Sequence, residues 1–206
     1  MKPLHAVSSG LLPSLCAACG RSCRPGARLC TRCSRRLAAA EPLAGSGPPG
    51  LDRVWSSAAH EGVARDLVVA LKFRRLLPLA ELIAERIEWL APASMLSGAV
   101  VPVPTARLRA MARGFDPATE IAAALASRLD APLRPCLVRH GGGRQVGRRR
   151  AERIGHPPRV SSRGAPRSVL LIDDVLTTGA TLSACARALR GDGAIRVAAI
   201  TFTRRL

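Results

Sequence analysis

The stretch Val169-Leu-Leu-Ile-Asp173-Asp174-Val-Leu-Thr177-Thr178-Gly179-Ala180-Thr181-Leu182 decides the fold. Its first four residues are apolar without alternation, the pattern of a strand buried on both faces in a parallel sheet. Two adjacent carboxylates follow. A loop with three Thr and one Gly comes next, and residues 180–190 resume at helical spacing. In open parallel sheets, ligands sit beyond the carboxyl ends of the strands. The loop amides, its hydroxyls and the start of a helix together suit a phosphate. Paired carboxylates accept hydrogen bonds from neighbouring hydroxyls, and a vicinal diol close to a phosphate describes a ribose 5-phosphate. The plain alternative is a strand-to-helix turn without a ligand. No Gly-Lys-Ser/Thr loop is present, and this segment carries no G-x-G-x-x-G fingerprint.

Working outward, strands are expected over residues 54–59, 99–103, 168–173 and 196–203, with a short one at 137–138. Helices are expected over 63–73, 79–90 and 117–129, where Ile121, Leu125 and Leu129 recur at four-residue steps. This alternation predicts an α/β fold, a parallel sheet flanked by helices. Residues 140–164 fit neither element. They hold Gly at 141, 142, 143, 147, 155 and 164, Arg at 144, 148, 149, 150, 153, 159 and 163, and one acid, Glu152. So long a loop inside a compact domain is either functional or a solvated basic run.

Toward the N-terminus, Cys16-x2-Cys19 and Cys30-x2-Cys33 form two CxxC pairs. Four thiolates at this spacing complete a tetrahedral Zn2+ site, structural because no coordination position stays open. Unrelated or redox cysteines are the alternative. Gly20 permits the tight turn of such a knuckle, and Cys23 is a spare thiol in the intervening loop. Residues 39–50 are rich in Ala, Gly and Pro. The organisation expected is a zinc module over 1–40, a linker over 41–50 and the main domain over 51–206.

The 206-residue chain is 48% apolar and 2% aromatic, with no Tyr, so its core must come from Ala, Leu, Val and Ile. Basic residues outnumber acidic ones 32 to 14, a formal charge of +18 that favours anionic partners such as phosphates, nucleic acid or acidic protein surfaces. All basic residues but Lys2 and Lys72 are Arg, which makes the identity of Lys72 informative: it belongs either to a site or to a solvated helix face. No apolar run reaches the roughly 18–20 residues of a membrane span, and residues 1–15 make a poor secretory signal. A cytoplasmic, reducing setting is therefore expected. With no Cys after Met1, no glutaminase half is expected either.

These motifs resemble those of a known family. The acidic segment is similar to the phosphoribosyl-pyrophosphate (PRPP) loop of type I phosphoribosyltransferases. The whole chain resembles the ComF family, a zinc module fused to that domain, through the two CxxC pairs, Leu71-Lys72-Phe73, Val101-Pro102-Val103-Pro104, Arg113-Gly114-Phe115, Gln145 with Glu152-Arg153, and the acidic loop. The resemblance implies that Asp173 and Asp174 bind ribose hydroxyls and that Thr177, Thr178, Gly179, Ala180 and Thr181 bind the 5-phosphate. It also implies that Thr105 sits in the pyrophosphate loop and that 140–164 is a hood over the site. Lys72, Arg107, Arg109, Arg113, Arg144, Gln145 and Arg153 are candidates for pyrophosphate or hood contacts. Mg2+ would accompany PRPP, and the acceptor is undefined. A second implied reading is a competence and DNA-uptake adaptor that binds single-stranded DNA and a helicase partner without turnover, although single-strand binders usually stack bases on aromatics. The chain departs from the ComF pattern at Asp116-Pro117, where Asn-Gln is frequent, and near Gly143 and His156.

Overall fold

A computed structural model of the chain describes residues 14–45, 47–140 and 158–206. Arg144, Gln145, Arg153 and His156 lie outside the described residues. The order is β1 (Ser14–Leu15), β2 (Ser22–Cys23), α1 (Thr31–Ala38), β3 (Leu43–Gly45), β4 (Arg53–Ala59), α2 (Gly62–Arg74), α3 (Leu79–Leu90), a 3-10 turn (Ala93–Met95), β5 (Ala99–Pro102), α4 (Arg107–Arg113), α5 (Pro117–Arg128), β6 (Leu137–His140), β7 (Arg159–Ser162), β8 (Ser168–Leu176), α6 (Ala180–Gly191) and β9 (Arg196–Arg204).

Five strands form the central sheet in the order β3-β4-β9-β8-β5. Pairs β4–β9, β9–β8 and β8–β5 are parallel. The sheet is mixed rather than wholly parallel, because Leu43–Gly45 adds to β4 as an antiparallel edge strand. Residues 43–45 thus pair with the sheet from inside the stretch read as a linker. β6 and β7 stand apart as an antiparallel ribbon, with His140 opposite Arg159.

The core is two-layered because the strand period is two. On β8, Leu170 and Ile172 face one side and Val169 and Leu171 the other; on β9, Ala198, Ile200 and Phe202 oppose Val197 and Ala199. The first face meets α2, α3 and α5 through Leu67, Leu71, Ile83, Ile87, Ile121 and Leu125. The second meets α6 through Leu182, Cys185 and Leu189. Asp116 caps α5, accepting from the Ala118 amide at 3.2 Å, with Pro117 at the first helical position.

Phe202 is the bulkiest fully buried side chain, at the middle of the layer shared by the sheet and its helices. Phe202→Ala is expected to cost about 3–5 kcal/mol of unfolding free energy. Urea denaturation of the full chain measures it, and a loss below about 1 kcal/mol contradicts this packing.

Candidate functional site

β8 runs three residues past the point expected from sequence, and that overrun creates the site. Its neighbour β5 stops at Pro102, paired with Ile172, and the Val103 amide still bonds the Ile172 carbonyl at 2.9 Å. On the other side β9 continues to pair with β8, Asp173 opposite Thr201 and Leu176 opposite Arg204. From Asp173 onward β8 therefore has an open flank toward the end of β5. The space there is a cavity of 280 Å³ walled by Val103, Pro104, Thr105, Ala106, Lys72, Arg113, Arg139, Asp173, Asp174, Val175, Thr177 and Thr181.

Asp174 is buried and ion-paired to Lys72, whose Nζ lies 2.8 Å from Oδ1 and 2.7 Å from Oδ2. Lys72 comes from the last turn of α2, across the sheet edge. Asp173 is half-buried, and its Oδ1 accepts from the Asp174 amide at 2.8 Å. Burial, and then the adjacent Asp174 charge, push the Asp173 carboxyl well above the usual carboxylate range, with Asp116 adding to the effect and Lys72 opposing it. The opposite wall is the loop after β5. Thr105 donates from its backbone amide to Asp116 Oδ2 at 3.1 Å and from its hydroxyl to Asp116 Oδ1 at 2.9 Å. One carboxylate thus ties that loop to the start of α5.

Of the residues singled out from sequence, Asp173, Asp174, Thr177, Thr181, Lys72, Thr105 and Arg113 all reach the cavity. Thr178 is exposed in the same loop, and Ala180 is exposed at the first position of α6. Gly179 sits at φ 75° before α6, with a would-be Cβ only 2.2 Å from Pro48 Cγ, so no larger residue fits there. Arg107 opens α4; its side chain and that of Arg109 lie outside the described residues. His60 is not in the lining: its Nδ1 meets Thr203 Oγ1 at 2.8 Å, and burial with Arg205, Lys72 and Arg65 nearby holds its pKa down. His140 contacts Ser161 Oγ at 2.6 Å across the β6–β7 ribbon. Sequence reasoning missed Asp116 and Arg139. For Asp116 the signal existed, since Asp followed by Pro marks a helix start. Arg139 had none, because only the ribbon turns it toward the cavity.

A second cluster lies in the N-terminal knuckle. The Sγ atoms of Cys16, Cys19, Cys30 and Cys33 all fall within 4.8 Å of one another, and Cys19 and Cys30 are 3.8 Å apart. A tetrahedral Zn–S length of about 2.3 Å gives an S···S edge near 3.8 Å, so the donor set and spacing fit zinc. Gly20, at φ 73°, closes the first knuckle by donating to the Cys16 carbonyl at 2.9 Å. Burial opposes ionisation of Cys16, yet the backbone amides of Cys19, Cys30 and Ala18 draw its thiol down to about 6. Burial and the other three sulfurs push Cys33 up. Cys23 stands outside the cluster, its thiol donating to the carbonyls of Ser14 at 3.1 Å and Ala27 at 3.2 Å.

Paired acids, a Thr-rich loop and cations thus surround one crevice at the carboxyl ends of β5 and β8 in a mixed α/β sheet. Residues 113–206 match the family described as the phosphoribosyl transferase domain. Among solved structures, the chain is similar to orotate phosphoribosyltransferase from Aeropyrum pernix, at 22% identity and a TM-score of 0.37, over 82% of this chain and 78% of that one. No curated protein sequence matches. No helix among the described residues is long and apolar enough to cross a membrane.

Two outcomes follow from these sites. Because its folded-state pKa is raised, Asp173 holds its proton more tightly folded than unfolded, so stability falls as pH rises from the ordinary aspartate range through the raised value. Asp173→Asn should therefore raise the thermal midpoint at neutral pH, with the advantage fading in acid; an Asn variant less stable at neutral pH contradicts the shift. For the knuckle, elemental analysis should give about one zinc per chain, reduced in Cys33→Ser. A folded, metal-free native protein refutes the zinc site.

Proposed function

We propose that the chain is a Mg2+-dependent phosphoribosyltransferase of the ComF type, transferring a 5-phosphoribosyl group from PRPP to a nucleophilic acceptor. The observation that carries this reading is the single cavity joining Asp173, Asp174, Thr177 and Thr181 to Lys72 and Arg113. In this reading Asp173 and Asp174 accept hydrogen bonds from the ribose 2- and 3-hydroxyls. Residues 177–181, with the amides at the start of α6, take the 5-phosphate. Lys72, Arg113 and Arg139 face the pyrophosphate, and Thr105 acts through the loop that Asp116 anchors. The zinc knuckle over 1–40 is a structural element, and residues 140–164 form the hood.

The reaction breaks the ribose C1–O bond, and pyrophosphate leaves with the bonding pair. The sugar carbon becomes cationic until the acceptor supplies an electron pair and loses its proton. Little covalent work falls to the protein, so its contribution is placement and charge. Mg2+ bound to PRPP would lower the charge of the leaving pyrophosphate, and Lys72, Arg113 and Arg139 would face that complex. Arg guanidinium forks suit the pyrophosphate oxygens. The carboxylates serve the hydroxyls and place negative charge on the side of the sugar where positive charge develops.

Isothermal titration with Mg·PRPP should show binding to the native protein and none to Asp173→Asn,Asp174→Asn. Affinity should weaken as pH falls through the raised range of Asp173, because a protonated carboxyl loses an acceptor, and Asp173→Asn should abolish that dependence. Equal binding by the native and doubly substituted proteins rules out the assignment. Pyrophosphate release in the presence of purines, pyrimidines, amines or nicotinate distinguishes transfer from binding alone.

A further inference from the structure

We infer that Phe73 is a positioning residue that fixes Arg113 in the cavity wall for the pyrophosphate group; the inference rests on the phosphoribosyltransferase reading above. The chain has three Phe and no Tyr. Phe202 is fully buried and Phe115 packs against the core, but Phe73 is 68% exposed at the end of α2. Burial therefore does not account for an aromatic ring at position 73. Its neighbour does: the Arg113 guanidinium carbon lies 5.3 Å from the centroid of the Phe73 ring, within cation–π range. Arg113 in turn lines the same cavity as Lys72, Asp173 and Asp174.

The backbone holds this pair in register. α4 ends at Arg113, with Gly114 at φ 77° donating to the Ala110 carbonyl at 2.8 Å. α2 ends in the same way, with Arg75 at φ 54°. The two helix ends meet: Arg75 Nη2 lies 2.6 Å from where a Cβ on residue 114 would stand. Consecutive residues of a helix point about 100° apart. One turn of α2 thus addresses Asp174 with Lys72 and Arg113 with Phe73. Two motifs distant in sequence, Leu71-Lys72-Phe73 and Arg113-Gly114-Phe115, are here parts of one fixture.

The choice of an aromatic partner has a chemical consequence. A carboxylate beside Arg113 would consume its N–H donors and cancel its charge. A ring under the guanidinium plane leaves the forked donors free for an anion. It also limits the rotamers of a long side chain before the ligand arrives, which reduces the ordering cost of binding. Phe73 itself is not among the residues that line the cavity.

The test is a set of titrations of the full chain with Mg·PRPP, with Mg·pyrophosphate and with ribose 5-phosphate. Phe73→Ala should weaken the first two by about two- to five-fold and leave ribose 5-phosphate unchanged. Phe73→Tyr should restore native affinity, and Phe73→Leu, apolar but without a ring face, should not. Arg113→Ala should weaken PRPP by about ten-fold or more; adding Phe73→Ala to it should then cost nothing further. Because Phe73 is exposed, the variants keep the native core. Unchanged PRPP binding in Phe73→Ala, an equal loss for ribose 5-phosphate, or additive effects of the two substitutions overturns the inference while leaving the ribose-phosphate site standing. Native protein that binds none of the three ligands overturns the site reading, and this inference with it.

Discussion

Two carboxylates on consecutive residues at the end of a buried strand are costly to ionise together, and Lys72 is the cation set against that cost. Its two contacts with Asp174, at 2.8 and 2.7 Å, pair that buried carboxylate with a cation. The strain is passed to Asp173, whose carboxyl is driven upward by burial and by Asp174. The pair is thus asymmetric before any ligand arrives: one acid is committed to a lysine and the other binds its proton tightly. Much of the nearby architecture serves this arrangement. α2 must end where Lys72 can reach across, β5 must stop short so that the flank of β8 stays open, and β9 must continue to support the overrun.

That support is polar in an otherwise apolar sheet. Ser56 and Thr201 share a hydrogen bond of 2.7 Å between β4 and β9, Ser57 donates to the Phe202 carbonyl at 2.8 Å, and Thr203 donates to the Asp174 carbonyl at 3.3 Å. All four side chains are buried and satisfied. A hydroxyl at 203 fixes the backbone of the charged residue, and His60 completes the chain by contacting that same hydroxyl. Buried polar groups linked in this way specify one register, since a slip would leave several of them unpaired.

The elements legible in sequence are those whose residues carry their own periodicity. The strand at Val169–Ile172 announces itself because it is apolar on both faces, and the helices around Leu67, Ile83 and Ile121 because one face of each is apolar. The acids and the Thr-rich loop are legible for a different reason: few other functions require that order of side chains. β3 was hidden because Leu43–Gly45 is three residues long within an Ala, Gly and Pro stretch, and it exists only through pairing with β4. α4 was hidden because Arg107–Arg113 is only seven residues long, with Arg at every second or fourth position interrupting any apolar face. The tie between Thr105 and Asp116 spans a separation that no local pattern encodes, although the capping half of Asp116's role could be read from the proline beside it.

The N-terminal knuckle is continuous with this machinery. Cys16, Ala17, Cys33 and Leu37 belong to the same apolar cluster as Leu67, Leu71 and Ile83, so the four-cysteine knuckle shares a core with the helices that cover the sheet. Between Cys16 and Cys19, the carbonyl of Ala17 accepts a hydrogen bond from Arg74. Arg74 is two residues from Lys72 and one from Phe73. The last turn of α2 is therefore held at two points: by the knuckle through Arg74 and by the carboxylate through Lys72. Only four residues separate this helix end from Leu79, where α3 begins. These contacts hold the turn so that the lysine charge stands opposite Asp174. The four-sulfur cluster thus contributes to the site without touching it, by fixing the turn from which the cation projects.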